Sequence, residues 1–173
     1  MKKLWWILLL ALLLMGCGKE KSLETIGDVQ DTSVIATMQQ PLVQLPPDMA
    51  TPVMESEKAG KLYLCDAYSV TVQTVPAGDL SETIRNATGM NREDLQILQT
   101  KKDDTKCYQW VWAANGENGI QVGRGCVLDD GAYHYVLTAL ADEEMSGEVQ
   151  SVWKEIFASF QVIPELEEIN TGS

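Results

Sequence analysis

Histidine is nearly absent: the 173 residues contain one, His134. A zinc cluster or a facial iron site built on two or three imidazoles is thereby excluded. Basic side chains are scarce as well, with 13 Lys and Arg against 25 Asp and Glu. Phosphate backbones and anionic headgroups are bound mainly through Lys and Arg, so this balance argues against nucleic acid as a partner. Two sequence signatures of catalysis are missing. No glycine-rich spacing of a phosphate loop opens a helix, and no nucleophile-elbow pattern surrounds a serine or cysteine. No apolar run approaches the roughly 20 residues a helix needs to cross a bilayer.

What is present begins at the first residue. Met1-Lys2-Lys3 is followed by an unbroken apolar run over residues 4–15. A short positive segment and a run of that length read as an export signal rather than a membrane span. The run ends in Leu14-Met15-Gly16-Cys17. These four residues resemble the lipobox of bacterial lipoproteins, with an apolar residue at −3, a small one at −1, and the cysteine; Met15 at −2 is bulkier than the family's usual residue. The resemblance implies diacylglyceryl transfer to the Cys17 thiol and cleavage between Gly16 and Cys17. Two acyl chains hold a protein on a bilayer where one does not, so the mature chain is expected on the extracytoplasmic face of the cell membrane. Cleavage also removes Lys2 and Lys3, leaving the mature chain more acidic still.

From residue 18 to about 60 no helical or strand period persists, and Pro41, Pro46, Pro47 and Pro52 break the apolar pairs. This stretch is expected to be a linker, with an r.m.s. span of about 35–40 Å if fully flexible. Residues 51–54 offer an alternative, a proline-bearing edge strand. One folded domain is expected over 61–164, followed by an acidic tail, 165–173, containing Glu165, Glu167 and Glu168.

Within the domain, 61–67 and 68–75 read as one strand or two, rich in Val, Tyr and Thr. A helix should follow, with Asp79 as N-cap, Glu82 three residues on, Leu80, Ile84 and Ala87 on one face, and Gly89 as the left-handed stop. Four strands come next, at 95–101, 107–114, 120–128 and 132–140, with joins short enough to force antiparallel neighbours. A last helix places Met145, Val149, Trp153, Ile156, Phe157 and Phe160 on one stripe, too apolar to leave in water. The expected fold is α+β: an antiparallel sheet of five to six strands, one short helix, and a long C-terminal amphipathic helix packed on it.

This order of elements, with Tyr133-His134-Tyr135-Val136-Leu137-Thr138 leading to Trp153 and Ile156-Phe157-Ala158-Ser159-Phe160, resembles the PsbP-like fold family over residues 61–163. That family includes small extracytoplasmic lipoproteins, and most members bind or assist assembly of other components. The resemblance therefore implies a non-catalytic domain without a cofactor, whose partner is a protein, a glycan or a small molecule.

Three sets of residues carry alternatives. Tyr108, Trp110 and Trp112 share one side of a strand, opposite a strand bearing Gly119, Gly123 and Gly125. They are either rings packed across a sheet or an exposed face suited to an inhibitor or immunity-type partner. If Ala114 faces Gly119 across the hairpin, Cys107 falls opposite Cys126, where a disulfide is expected, with Cys65 left free. His134 paired with a thiol or hydroxyl would make a hydrolase or a thiol enzyme, which requires that group within hydrogen-bond reach. Asp129 and Asp130 form an acidic loop without the ligand spacing of a calcium site.

Overall fold

The computed structural model describes residues 38–56, 60–102, 105–116 and 119–163. Gly16, Cys17, the signal and the acidic tail lie outside them. The described chain runs β1 (Gln40–Leu42), β2 (Met54–Ser56), β3 (Gly60–Leu64), β4 (Ser69–Pro76), α1 (Leu80–Thr88), β5 (Leu98–Lys102), β6 (Thr105–Asn115), β7 (Ile120–Asp129), β8 (Tyr133–Asp142), α2 (Ser146–Ser159) and β9 (Gln161–Ile163). Seven strands make one antiparallel sheet in the order β2-β3-β4-β8-β7-β6-β5, and β1 pairs with β9 in a separate ribbon. The fold is α+β, with seven strands in its main sheet rather than five or six. The additional strand, β2, and the ribbon strands are three residues each, too short for an alternating pattern to show.

The chain also enters the fold earlier than its prolines suggest. Met49 is fully buried, and Val43 and Leu45 pack against the same core. The Gln39 N–H donates to the Tyr135 hydroxyl at 2.9 Å, and the Gln44 N–H to Ser159 Oγ at 2.9 Å. The expected linker therefore gives way to folded chain by residue 38. Pro47 opens a 3-10 turn that delivers Met49 to the core, so prolines that look like breakers act here as turn formers. Residues 54–56, just beyond the proline-bearing stretch, form an exposed edge strand.

Period-two alternation in the long strands builds two cores. On β8, Tyr135, Leu137, Ala139 and Ala141 point to the face covered by α2, whereas His134 and Val136 point to the face covered by α1. Asp79 caps α1 by accepting the Ser81 N–H at 2.9 Å, and Gly89 ends it at φ +75°. Helix α2 buries Val149, Trp153, Ile156 and Phe157, with Phe160 just past its end. No basic residue sits in its last turn. Lys102 supplies one from the sheet edge: its Nζ donates to the Ala158 and Phe160 carbonyls at 2.8 and 2.5 Å, meeting the negative end of the helix dipole.

The β6–β7 register corrects the expected one by two residues. Asn115 pairs with Ile120 and Ala114 with Gln121, so Cys107 faces Leu128 and Cys126 faces Gln109. The turn accounts for it: the Gly116 N–H bonds the Gly119 carbonyl at 2.7 Å, and β6 runs one residue further toward the loop than expected, to Asn115, while β7 begins at Ile120 as expected. A shift of two keeps every side chain on its face. Trp110 consequently pairs with Gly125 and Trp112 with Gly123.

Candidate functional site

The aromatic stripe is core. Tyr108, Trp110 and Trp112 are 8%, 3% and 9% exposed and pack with Ile84, Val127 and Val136 on the α1 side. This closes the alternative of an exposed aromatic binding face. A Cβ on Gly125 would lie 2.3 Å from Trp110 ring atoms, and one on Gly123 2.4 Å from Trp112, so each indole occupies the space its cross-strand glycine leaves.

Cys107 and Cys126 are diagonal neighbours with their sulfurs 3.6 Å apart, and both are free thiols, as is Cys65. The expected disulfide is not formed. In the observed register the two residues do not face each other; each is set two positions off its partner's opposite. The hydrogen bond with Cys126 holds the Cys107 thiol down to about 6, against the opposing effect of burial and helped by Gln109 Nε2 at 3.5 Å and the Lys102 charge. The same bond, with burial, pushes Cys126 upward.

These thiols point to the α2 face; His134 points to the α1 face. The sheet itself separates them, so the pairing that a cysteine–histidine enzyme needs is not made. A hydroxyl does reach the ring: Thr83 Oγ1 lies 2.8 Å from His134 Nδ1. On the other side, Asp129 Oδ1 is 4.0 Å from Nε2, beyond hydrogen-bond length. The imidazole is 2% exposed, and the contact ties α1 to β8. The acidic loop is committed to its own backbone. Asp129 Oδ1 accepts the Gly131 N–H, while Asp130 Oδ1 accepts those of Ala132 and Tyr133 and Oδ2 accepts the Tyr135 hydroxyl. Those bonds shape the β7–β8 hairpin.

Burial pushes the His134 pKa below its ordinary value, opposed by the negative charges of Asp129 and Asp130. The unfolded chain takes up a proton near pH 6.5, whereas the native imidazole stays neutral to lower pH. Stability contributed by the neutral ring is therefore present above about pH 6.5 and lost as pH falls below it. Urea midpoints measured from pH 7.5 to 5 should decline in the wild type and decline less steeply in His134→Gln. Parallel slopes would show that His134 does not set the dependence.

A concave surface lies open on the α2 face. Helix α2 covers the sheet over β8 and leaves a groove beside β6 and β7, with a volume of about 760 Å3. Val111, 68% exposed, forms its floor with Ala113 and Val122; Trp153 and Gln150 form the helical wall. Arg124 and Lys154 line it, and no acidic side chain does. Arg124 is held in place, its guanidinium 4.6 Å over the Phe157 ring and its Nη2 donating to Gln109 Oε1 at 3.2 Å. Sequence reasoning missed this site. Its one signal is Val111, apolar at an alternating position between two tryptophans.

No family profile matches the chain, and no curated protein matches it. Solved structures do. The solution structure of cyanobacterial PsbP (CyanoP) from Synechocystis sp. PCC 6803 aligns with 82% of this chain and 99% of its own at a TM-score of 0.51 and 12% identity. The fold is PsbP-like. A protein from Bacteroides thetaiotaomicron VPI-5482 gives 0.51 at 10% identity, over 73% of this chain and 46% of that one. LpqN, involved in cell envelope biogenesis of Mycobacterium tuberculosis, gives 0.48 at 13% identity, over 75% and 87%. The domain is built on the expected α+β plan, and its open groove lies where α2 leaves the turn-proximal part of β6 and β7 bare. Among the described residues, no helix is long and apolar enough to cross a membrane.

Proposed function

We propose that this chain is a lipoprotein anchored through diacylglyceryl-Cys17 on the extracytoplasmic face of the membrane, whose PsbP-like domain binds a partner molecule without catalysis. The observation that carries the binding half is the preformed groove beside α2, apolar at its floor and cationic at its lining. Its counterpart is the placement of the thiols and the single imidazole on opposite faces of the sheet, which leaves the most reactive side chains apart. The address rests on the Leu14-Met15-Gly16-Cys17 pattern behind its short apolar run.

Growing cells with a clickable fatty-acid analogue tests the anchor. The wild-type chain should incorporate label that survives denaturing extraction, and Cys17→Ala should incorporate none, because that thiol is the acceptor in the motif. Label retained on Cys17→Ala would overturn the reading.

A further inference from the structure

Positive charge is the rarer kind in this chain, which carries a formal net charge of −12. Against that background, two cations lining one apolar groove with no acidic neighbour in its wall is a departure that calls for a physical account. Among the described residues neither Arg124 nor Lys154 forms an ion pair; the pairs that do form join Lys61 to Glu55, Lys106 to Asp129, and His134 to Asp129. Arg124 makes one hydrogen bond, to Gln109, and rests on Phe157. A guanidinium carries five N–H donors in a fixed plane, so a held Arg124 keeps further donors for a bidentate acceptor.

The apolar half is equally specific. Val111 alternates with the buried Trp110 and Trp112 and is the most exposed large apolar side chain among those described. Ala113 and Val122 pair across β6 and β7 and extend that floor. Trp153, 6% exposed, lines the wall, and its buried indole N–H has no partner among the described residues. The groove's volume, about 760 Å3, falls in the roughly 300–1,000 Å3 range of small-molecule sites. A protein partner needs on the order of 800 Å2 of each surface, far more than a floor of three small side chains offers.

Resting on the reading of this domain as a binding module, we propose that the groove takes a long-chain fatty carboxylate. Its hydrocarbon lies along Val111, Ala113, Val122 and the Trp153 ring, and its carboxylate is held by Arg124 and Lys154. The apolar floor removes the chain from water, and the two cations select the anionic head over a neutral one.

The test uses the full-length chain in its own membranes and a photoreactive fatty carboxylate bearing a diazirine and an alkyne. Irradiation should give adducts that map to peptides of β6, β7 or the first half of α2, and excess unlabelled palmitate should abolish them. The matched alcohol probe should label about tenfold less, the loss expected for one charge-assisted contact. Val111→Asp and Lys154→Glu, both at exposed positions, should lower the yield similarly while leaving the thermal melt unchanged. Adducts mapping elsewhere, equal labelling by the alcohol, indifference to both substitutions, or competition by an acidic peptide or a phosphate ester instead of palmitate would each overturn the proposal. Cys17→Ala should keep the light-dependent groove adduct, because anchoring and groove are separate. An intact lipid on Cys17 with no groove adduct overturns the ligand assignment alone, whereas loss of the lipid reading leaves the groove result standing.

Discussion

Trp153→Ala and Phe157→Ala are each expected to lower stability by about 3–5 kcal/mol, the range for truncating a large buried aromatic. Both are 6% exposed on the inner stripe of α2. Trp153 meets Tyr68 edge-on, with ring centroids 6.2 Å apart at 78°, and Phe157 carries the Arg124 guanidinium on its face. Neither space refills easily. The strand residues beneath, Leu137 and Tyr135, are fully buried and fixed by their ladder. Against a total stability of roughly 5–15 kcal/mol, such a loss removes a large share. Urea unfolding of the purified variants, followed by far-UV circular dichroism, checks it. Midpoints within experimental error of wild type in both would show that α2 does not close the core as described.

The second large effect is expected at a residue with no side chain. Gly125→Ala should destabilise by about 1–3 kcal/mol or more, the cost of overpacking, since its Cβ would sit 2.3 Å from Trp110 Cε2 and Cζ2. The indole cannot retreat, being 3% exposed and enclosed in the cluster that holds Ile84, Val127 and Val136. Trp110→Leu in the Gly125→Ala background should recover part of the loss, which distinguishes a steric clash from an intrinsic strand effect. Gly147→Ala is the control. That glycine lies in the first turn of α2 with nothing within 4 Å of the added Cβ, so the change should be neutral or stabilising by up to about 1 kcal/mol. Equal responses at the two positions would refute the packing argument.

The Gly125 case shows how legible the sequence was. Tyr108, Trp110 and Trp112 announce a shared face by their spacing of two, and glycines at the same spacing announce the strand that receives them. Parity survived an error of two in register, because a shift of two moves a side chain along its face and never across it. The predicted disulfide did not survive it. Bond formation depends on which residue stands opposite which, and that was set by the Gly116–Gly119 turn. The folded start at residue 38 was hidden for another reason: Val43, Leu45 and Met49 reach the core from irregular backbone, which imposes no period on the residues that form it.

The sequence by itself determined the α+β class, the capped short helix, the closing amphipathic helix and the inward face of the central strands, because each follows from local periodicity and from turn or cap chemistry within a few residues. Its N-terminal pattern is likewise local and is the ground for the proposed anchor. Tertiary structure alone decided what the chemistry-bearing side chains face. Thr83 meets His134 from 51 residues away, Lys102 caps a helix that ends nearly 60 residues later, and Arg124 comes to lie over Phe157. The groove arises in the same way: α2 buries Cys107, Cys126 and Leu128 but leaves the turn-proximal part of β6 and β7, at Val111, Ala113 and Val122, uncovered, and no local pattern records where one element stops covering another.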